Sequence, residues 1–232
     1  MRSNSAEPLP RITVALIAVY ALVMVLEAVV SGTPFNLALI DPSIDALAAL
    51  GGNAHSLTIT GGQWWRLLTA TLLHGGITHL GFNSLATWNI AGQLEPRAGW
   101  RALLATFTFT GLFASLTSVL VNPREIIGIG ASGAIFGMLG FIVVWGVSSV
   151  PQFVQQIQRN FIMLLVVVGS SAIIPGVDNV AHIGGLLAGL ILGFFWERLS
   201  ETIKTGLGLS SAVALLAALG MIALQSFPLL LR

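Results

Sequence analysis

The sequence predicts an all-α protein: a polytopic transmembrane helical bundle. Three observations carry that prediction. Hydrophobic residues fill 55% of the 232 positions and charged residues only 8%, whereas a soluble domain carries about a quarter charged. Mean hydropathy is +0.90, so there is too little polar surface to face water. The apolar residues also gather in runs close to the length of about 20 that a helix needs to cross hydrocarbon. A net charge of +1 offers no field for nucleic acid. With no cysteine there is neither a disulfide framework nor a thiolate nucleophile.

Residues 1–11 read as a polar tail on the cytoplasmic side. The run from Ile12 to Val30 exceeds the roughly 7–15 residues of a signal-peptide core and reads as a retained first span. Seven spans are expected, at 12–31, 79–94, 101–121, 132–149, 160–174, 179–196 and 207–230. Charge and helix breakers gather between them, at Glu95-Pro96-Arg97, Asn122 to Glu125, Pro151 to Arg159, Pro175 to Asp178, and Glu197 to Lys204. If the N-terminus is inside, the inner segments hold Arg2, Arg11, Arg97, Arg101, Arg159, Arg198 and Lys204, against Arg66, Arg124 and Arg232 outside. Basic residues favour the cytoplasmic side, so N-in and C-out is the expected orientation. Residues 32–78 do not span. They are rich in Gly, Thr and Asn, yet carry Trp64, Trp65 and the apolar pairs Leu67-Leu68 and Leu72-Leu73. An amphipathic element lying in the outer interface fits both properties.

Polar side chains inside a bilayer are costly and point to function. His79 and Asn83 begin the second span, Ser132 begins the fourth, and His182 lies one turn into the sixth. In an N-in topology these three spans all run inward from the outer face, so their polar residues share one depth. Ser132 sits in Gly128-Ile-Gly-Ala-Ser-Gly133, where glycines permit a tight turn into a helix N-terminus whose orphan N–H groups suit a developing anion. A serine hydroxyl needs a base to become nucleophilic, and His182 is the obvious one. His79 and Asn83, at i and i+4, share a helix face and can donate to an oxyanion together with the Ser132 N–H. Gly185, Gly189 and Gly193 form one small-residue stripe and Gly133 and Gly137 another, allowing close helix approach. Phe136, one turn below Ser132, can stack on the His182 ring.

These residues resemble the rhomboid family of intramembrane serine proteases. The matching motifs are Trp65-Arg66, His74-(four residues)-His79-(three)-Asn83, Gly130-Ala-Ser132-Gly133, and Ala181-His182-Ile-Gly-Gly185-(three)-Gly189, in the family order over about residues 12–196. The resemblance implies a six-helix core at 12–196 with an outer-leaflet loop at 32–78, and a linker and seventh helix at 197–232. It implies a serine endopeptidase of the bacterial cytoplasmic membrane that cleaves transmembrane protein substrates with a Ser132–His182 dyad, without cofactor or metal. His79 and Asn83 match oxyanion stabilisers, His74 a more structural histidine, and Phe82 the lateral gate between the second and fifth helices. Trp65 and Arg66 match the partly embedded first loop, and Glu95 an acidic residue holding the inner end of the second helix. Many bacterial members carry tyrosine where this chain has Phe136, so only stacking survives there.

Simpler readings exist for single residues. Ser132 alone reads as an N-cap. Asp178, four residues before His182, suits N-capping of the sixth span better than a triad. Arg66 reads as a snorkelling interfacial cation, Glu27 as an interface residue, and His74 as a donor to a loop carbonyl. A proteolytically inactive relative that binds client helices is the alternative function, but such proteins typically lack the serine or the histidine. A transporter would need ionisable residues along a continuous path, and a metalloprotease an HExxH motif; neither is present.

Overall fold

The computed structural model describes residues 9–122, 126–149 and 176–231. The described residues form a helical bundle, and the chain is an integral membrane protein. Helix α1 spans Arg11–Val30. The segment expected on the outer side then forms short pieces: α2 (Phe35–Ala38), α3 (Ile44–Leu50), a π-turn at Ser56–Thr60, α4 (Arg66–Thr69) and a 3₁₀ turn at Ala70–Leu72. The long helices α5 (Ile77–Val121), α6 (Ser132–Ser149), α7 (Asn179–Trp196) and α8 (Glu201–Leu230) follow. The expected span at 160–174 lies outside the described residues.

The second and third expected spans are the two limbs of α5. The break falls at Gly99 (φ 82°, ψ 166°) rather than at Glu95-Pro96-Arg97, and Pro96 lies within the helix. Proline removes one ladder bond, whereas reversing the chain needs a positive φ, which glycine supplies. Both ends of α5 meet the same segment: a Cβ on Gly130 would stand 2.7 Å from the His79 ring, and one on Gly128 3.4 Å from Ser118 Oγ. The two limbs are therefore a hairpin. Below them, Glu95 caps the start of α1. Its Oε1 accepts the Ile12 N–H at 2.9 Å, and its Oε2 accepts the Thr13 N–H at 2.8 Å and the Thr13 hydroxyl at 2.9 Å. These are orphan donors of a helix N-terminus held by a carboxylate at its favourable end.

Helices α6 and α7 run parallel in backbone contact. A Cβ on Gly185 would stand 2.0 Å from the Gly133 carbonyl oxygen, one on Gly189 1.9 Å from that of Gly137, and one on Gly193 2.6 Å from that of Phe141. Only glycine fits at such distances. At the C-terminal end of the pair, Trp145 Nε1–H donates to Glu197 Oε1 at 2.5 Å. Helix α8 buries Gly208, Ser211, Leu215, Ala218, Ile222 and Ser226, a three-to-four spacing that turns one stripe to the bundle. That stripe meets α5 and the outer helices α3 and α4.

The outer segment is several turns rather than one amphipathic element. Its inward side buries Leu47, Leu50, Leu68, Leu72 and Leu73, while Phe35, Leu37, Ile40, Ile44 and Trp64 stay exposed. Short helices separated by glycine let one polar stretch present apolar groups both to the core and to lipid.

Replacing Glu95 by Ala strips three hydrogen bonds from the start of α1. We expect the unfolding free energy in detergent micelles to fall by about 3 kcal/mol, with Glu95→Gln falling by about half as much. Denaturant titration followed by tryptophan fluorescence checks this, and a loss below about 0.5 kcal/mol would show the cap to be idle.

Candidate active site

Ser132 is the first residue of α6 and His182 lies in the first full turn of α7. Because α6 and α7 touch through Gly133 and Gly185, the two side chains meet across the seam. His182 Nε2 stands 2.8 Å from Ser132 Oγ. The His182 ring is stacked on Phe136, with centroids 4.3 Å apart and planes 14° from parallel, so packing fixes its plane. Its Nδ1 is buried and has no hydrogen-bond partner among the described residues. Nε2 can accept the serine proton only in the tautomer that carries hydrogen on Nδ1.

Among the described residues no carboxylate hydrogen-bonds the imidazole. Asp178 is the N-cap of α7: its Oδ1 accepts the Ala181 N–H at 2.9 Å and an Asn122 Nδ2–H at 2.8 Å, and its Oδ2 accepts the Ser118 hydroxyl. This agrees with capping, and it ties the C-terminal end of α5 to the N-terminal end of α7.

The loop before Ser132 is held by the outer segment. Gly130 adopts φ +110° and its N–H donates to the Ala70 carbonyl at 2.8 Å. Two residues earlier, Gly128 and Asn53 exchange both backbone bonds, at 2.7 and 2.9 Å. Asn53 in turn donates to the Ser115 carbonyl at 2.7 Å and accepts the Thr58 hydroxyl at 2.7 Å. A Cβ on Gly130 would fall 2.7 Å from His79 Nε2 and 3.6 Å from Asn83 Nδ2. The glycine therefore keeps open the space that both donors face. Asn83 is buried and donates one Nδ2–H to the His79 carbonyl at 3.2 Å, leaving a second for another acceptor. A cavity of about 30 Å³, bordered by Asn53, Ser115, Ser118, Gly128, Ser132 and Asp178, has room for about one or two waters beside the serine.

His74 is fully buried with its ring between Tyr20 (centroids 5.1 Å apart) and His79 (5.3 Å). Burial, reinforced by the nearby His79, pushes its pKa down to about 3, so the ring is neutral. Its backbone N–H ties it to α1, donating to Glu27 Oε1 at 2.9 Å. Glu27 itself is fully buried, which corrects its reading as an interface residue. Three residues from the end of α1, it faces the core rather than the headgroups. Arg66 is also buried rather than snorkelling. Its Nη1 donates to the carbonyls of Ala48 (2.5 Å) and Gly52 (3.0 Å), its Nε to Gln63 Oε1 (2.7 Å), and its guanidinium lies 4.6 Å from the Trp65 ring centroid. Phe82 is 68% exposed on the first limb of α5; the helix expected to face it lies outside the described residues.

Sequence reasoning missed Asn53, Ser118 and Asn122, whose partners lie 56–75 residues away along the chain. No local pattern marks such contacts. For Glu27 a signal existed: a carboxylate inside an apolar helix demands a buried partner.

A family model described as the Rhomboid domain matches residues 61–198. Among curated proteins, "Rhomboid protease GluP" of Bacillus subtilis (strain 168) is 38% identical over 146 residues, covering 62% of this chain and 28% of GluP. "RHOMBOID-like protein 5" of Arabidopsis thaliana is 35% identical over 159 residues, covering 67% of this chain and 51% of that protein. "Rhomboid protease AarA" of Providencia stuartii is 31% identical over 205 residues, 78% of this chain and 73% of AarA. The chain thus spans about a quarter to a half of the first two relatives.

The seam between α6 and α7 leaves no room for a side chain at Gly189. Gly189→Val should lower the thermal midpoint in detergent by about 5–10 °C, the equivalent of about 3 kcal/mol of overpacking. Valine at the neighbouring lipid-facing Leu187 should change it by under about 2 °C. Differential scanning fluorimetry reads both.

Proposed function

The chain belongs to the rhomboid family, and on that premise we propose that it is an intramembrane serine endopeptidase acting on transmembrane-helix substrates near the outer face of a bacterial cytoplasmic membrane, with its N-terminus inside. The observation that carries the proposal is the 2.8 Å approach of His182 Nε2 to Ser132 Oγ. A hydroxyl and an imidazole from separate apolar helices have no structural need to meet, and at that distance a proton can move between them.

The mechanism follows from the roles the atoms can play. Ser132 Oγ attacks the scissile carbonyl carbon while its proton passes to His182 Nε2. The carbonyl oxygen becomes an oxyanion, taken up by His79 Nε2–H, Asn83 Nδ2–H and the Ser132 N–H. Collapse breaks the C–N bond, and His182 returns the proton to the leaving amine. Water then attacks the acyl-serine with His182 as base, releasing the acid and regenerating the hydroxyl. An intact substrate helix keeps its carbonyls bonded, so cleavage needs a stretch that unwinds, as small or helix-breaking residues permit. Phe82, exposed on the outer half of α5, suits the entry side. Residues 12–196 would form the catalytic core and 197–232 an appended linker and helix.

The test is cleavage of a model transmembrane substrate by the protein reconstituted in liposomes. Ser132→Ala and His182→Ala should each lose at least about 10³-fold in kcat, and Asn83→Ala about 10²-fold. Asp178→Asn, which keeps a capping oxygen, should stay within about threefold. Cleavage that persists in Ser132→Ala would reject the proposal, and inactivity of the wild type on every such substrate would favour a client-binding protein. A loss in Asp178→Asn equal to that in His182→Ala would replace the dyad with a triad.

A further inference from the structure

Nothing in the mechanism above uses Glu27, although its carboxylate lies fully buried in α1. Its Oε1 accepts the His74 N–H at 2.9 Å across 47 residues of sequence. The next amide in the chain, Gly75 N–H, donates to His79 Nδ1 at 3.2 Å. Each peptide unit is a rigid plane joined to the next by two soft torsions, so anchoring the amide of His74 narrows where that of Gly75 can point. The far end of this short segment is anchored too. Ile77 N–H donates to the Leu39 carbonyl at 2.8 Å, and Gly76 adopts φ +107° against the Ile40 carbonyl. Helix α1 makes a second contact from the same side, since Tyr20 packs on the His74 ring and His74 on the His79 ring.

A neutral imidazole that accepts at Nδ1 carries its proton on Nε2. That atom faces the space above Gly130, where the oxyanion donor is needed. Were the Gly75 amide to turn away, Nδ1 would lose its donor and the ring would be free to adopt the other tautomer or rotate. In either case Nε2 would no longer be a fixed donor.

We propose that Glu27 is a positioning residue for the oxyanion site: through His74 it holds the Gly75 amide on His79 Nδ1, and so keeps His79 in the Nε2–H tautomer aimed at the reacting oxygen. The inference rests on the endopeptidase reading for its catalytic consequence, but its effect on the His79 ring is independent of it. A role confined to stability would leave that ring unchanged.

The experiment combines cleavage kinetics with ¹⁵N spectra of the histidine rings in the full-length protein, using wild type, Ser132→Ala, Glu27→Leu, Glu27→Gln, His79→Ala and the double variant Glu27→Leu/His79→Ala. Glu27→Leu should lower kcat about tenfold with KM within about twofold. Glu27→Gln keeps an acceptor oxygen and should restore kcat to within about twofold. Glu27→Leu should cost nothing further when His79 is already Ala, because both changes remove the same donor. The His79 signals should show an Nε2–H ring in wild type and a shift toward a mixture in Glu27→Leu. Additive losses in the double variant, or an unchanged His79 ring in Glu27→Leu, would overturn the inference. If wild type and Ser132→Ala cleave alike, the endopeptidase reading fails while the ring spectra still decide the positioning. Should Glu27→Leu not fold, Glu27→Asp, whose carboxylate is withdrawn by one methylene, is read in its place by the same criteria.

Discussion

The α6–α7 seam is the contact on which the rest of this structure depends. Two helix backbones lie against each other through Gly133 with Gly185 and Gly137 with Gly189, with no side chain between them. In lipid there is little hydrophobic gain from pairing apolar helices, so association relies on close packing. Small residues in register provide it, and they do so over two turns below the site. The register then places one residue above each stripe, Ser132 on α6 and His182 on α7, at the same height and on facing sides. Stacking of Phe136 on His182 adds the last constraint. The 2.8 Å approach of hydroxyl and imidazole is thus a consequence of helix packing and needs no charged third partner.

The carboxylates have a different employment. Glu95, Glu27 and Asp178 each accept backbone N–H groups: two at the start of α1, one in the turn before α5, and one at the start of α7. Glu27 is the buried one of the three, and burying a carboxylate is costly unless it is bonded; its Oε1, like the oxygens of the half-buried Glu95 and Asp178, takes backbone donors outside the helical ladders. The outcome is a set of staples between sequence-distant segments. Glu95 joins the second span to the first, Glu27 joins the first span to the turn before the second, and Asp178 joins the sixth to the third through Asn122 and Ser118. Glu27 and Asp178, together with the Asn53–Gly128 backbone pair, fix the backbone around the site, while Glu95 fixes it at the far end of the first limb of α5.

Much of this could be read from the chain alone. Long apolar runs locate every long helix that the described residues contain, because the bilayer imposes a length and forbids charge. The i, i+4 pair of His79 and Asn83 and the glycine stripes were visible because helical periodicity converts spacing into a shared face. What stayed hidden depends on contacts between distant segments. The outer segment has no single period, so its several short helices were not separable. The reversal at Gly99 was assigned to the charged run just before it, because proline is the louder breaker but cannot supply a positive φ. Glu27 reads as interfacial from its place near a helix end and Arg66 from its place in a non-spanning segment, yet neither position says which face a side chain occupies. Glu27 is buried where the turn before α5 meets α1, and Arg66 where the short helices fold on one another, both tertiary facts.

The proposed chemistry requires Ser132 to be the hydroxyl that His182 activates. Labelling with a serine-directed fluorophosphonate, followed by mass spectrometry of the intact protein and its peptides, tests this most directly. One adduct should appear on Ser132 in the wild type, at a rate that falls by about 10³ in His182→Ala. An adduct on any other serine, or equal labelling in the absence of the imidazole, would contradict it.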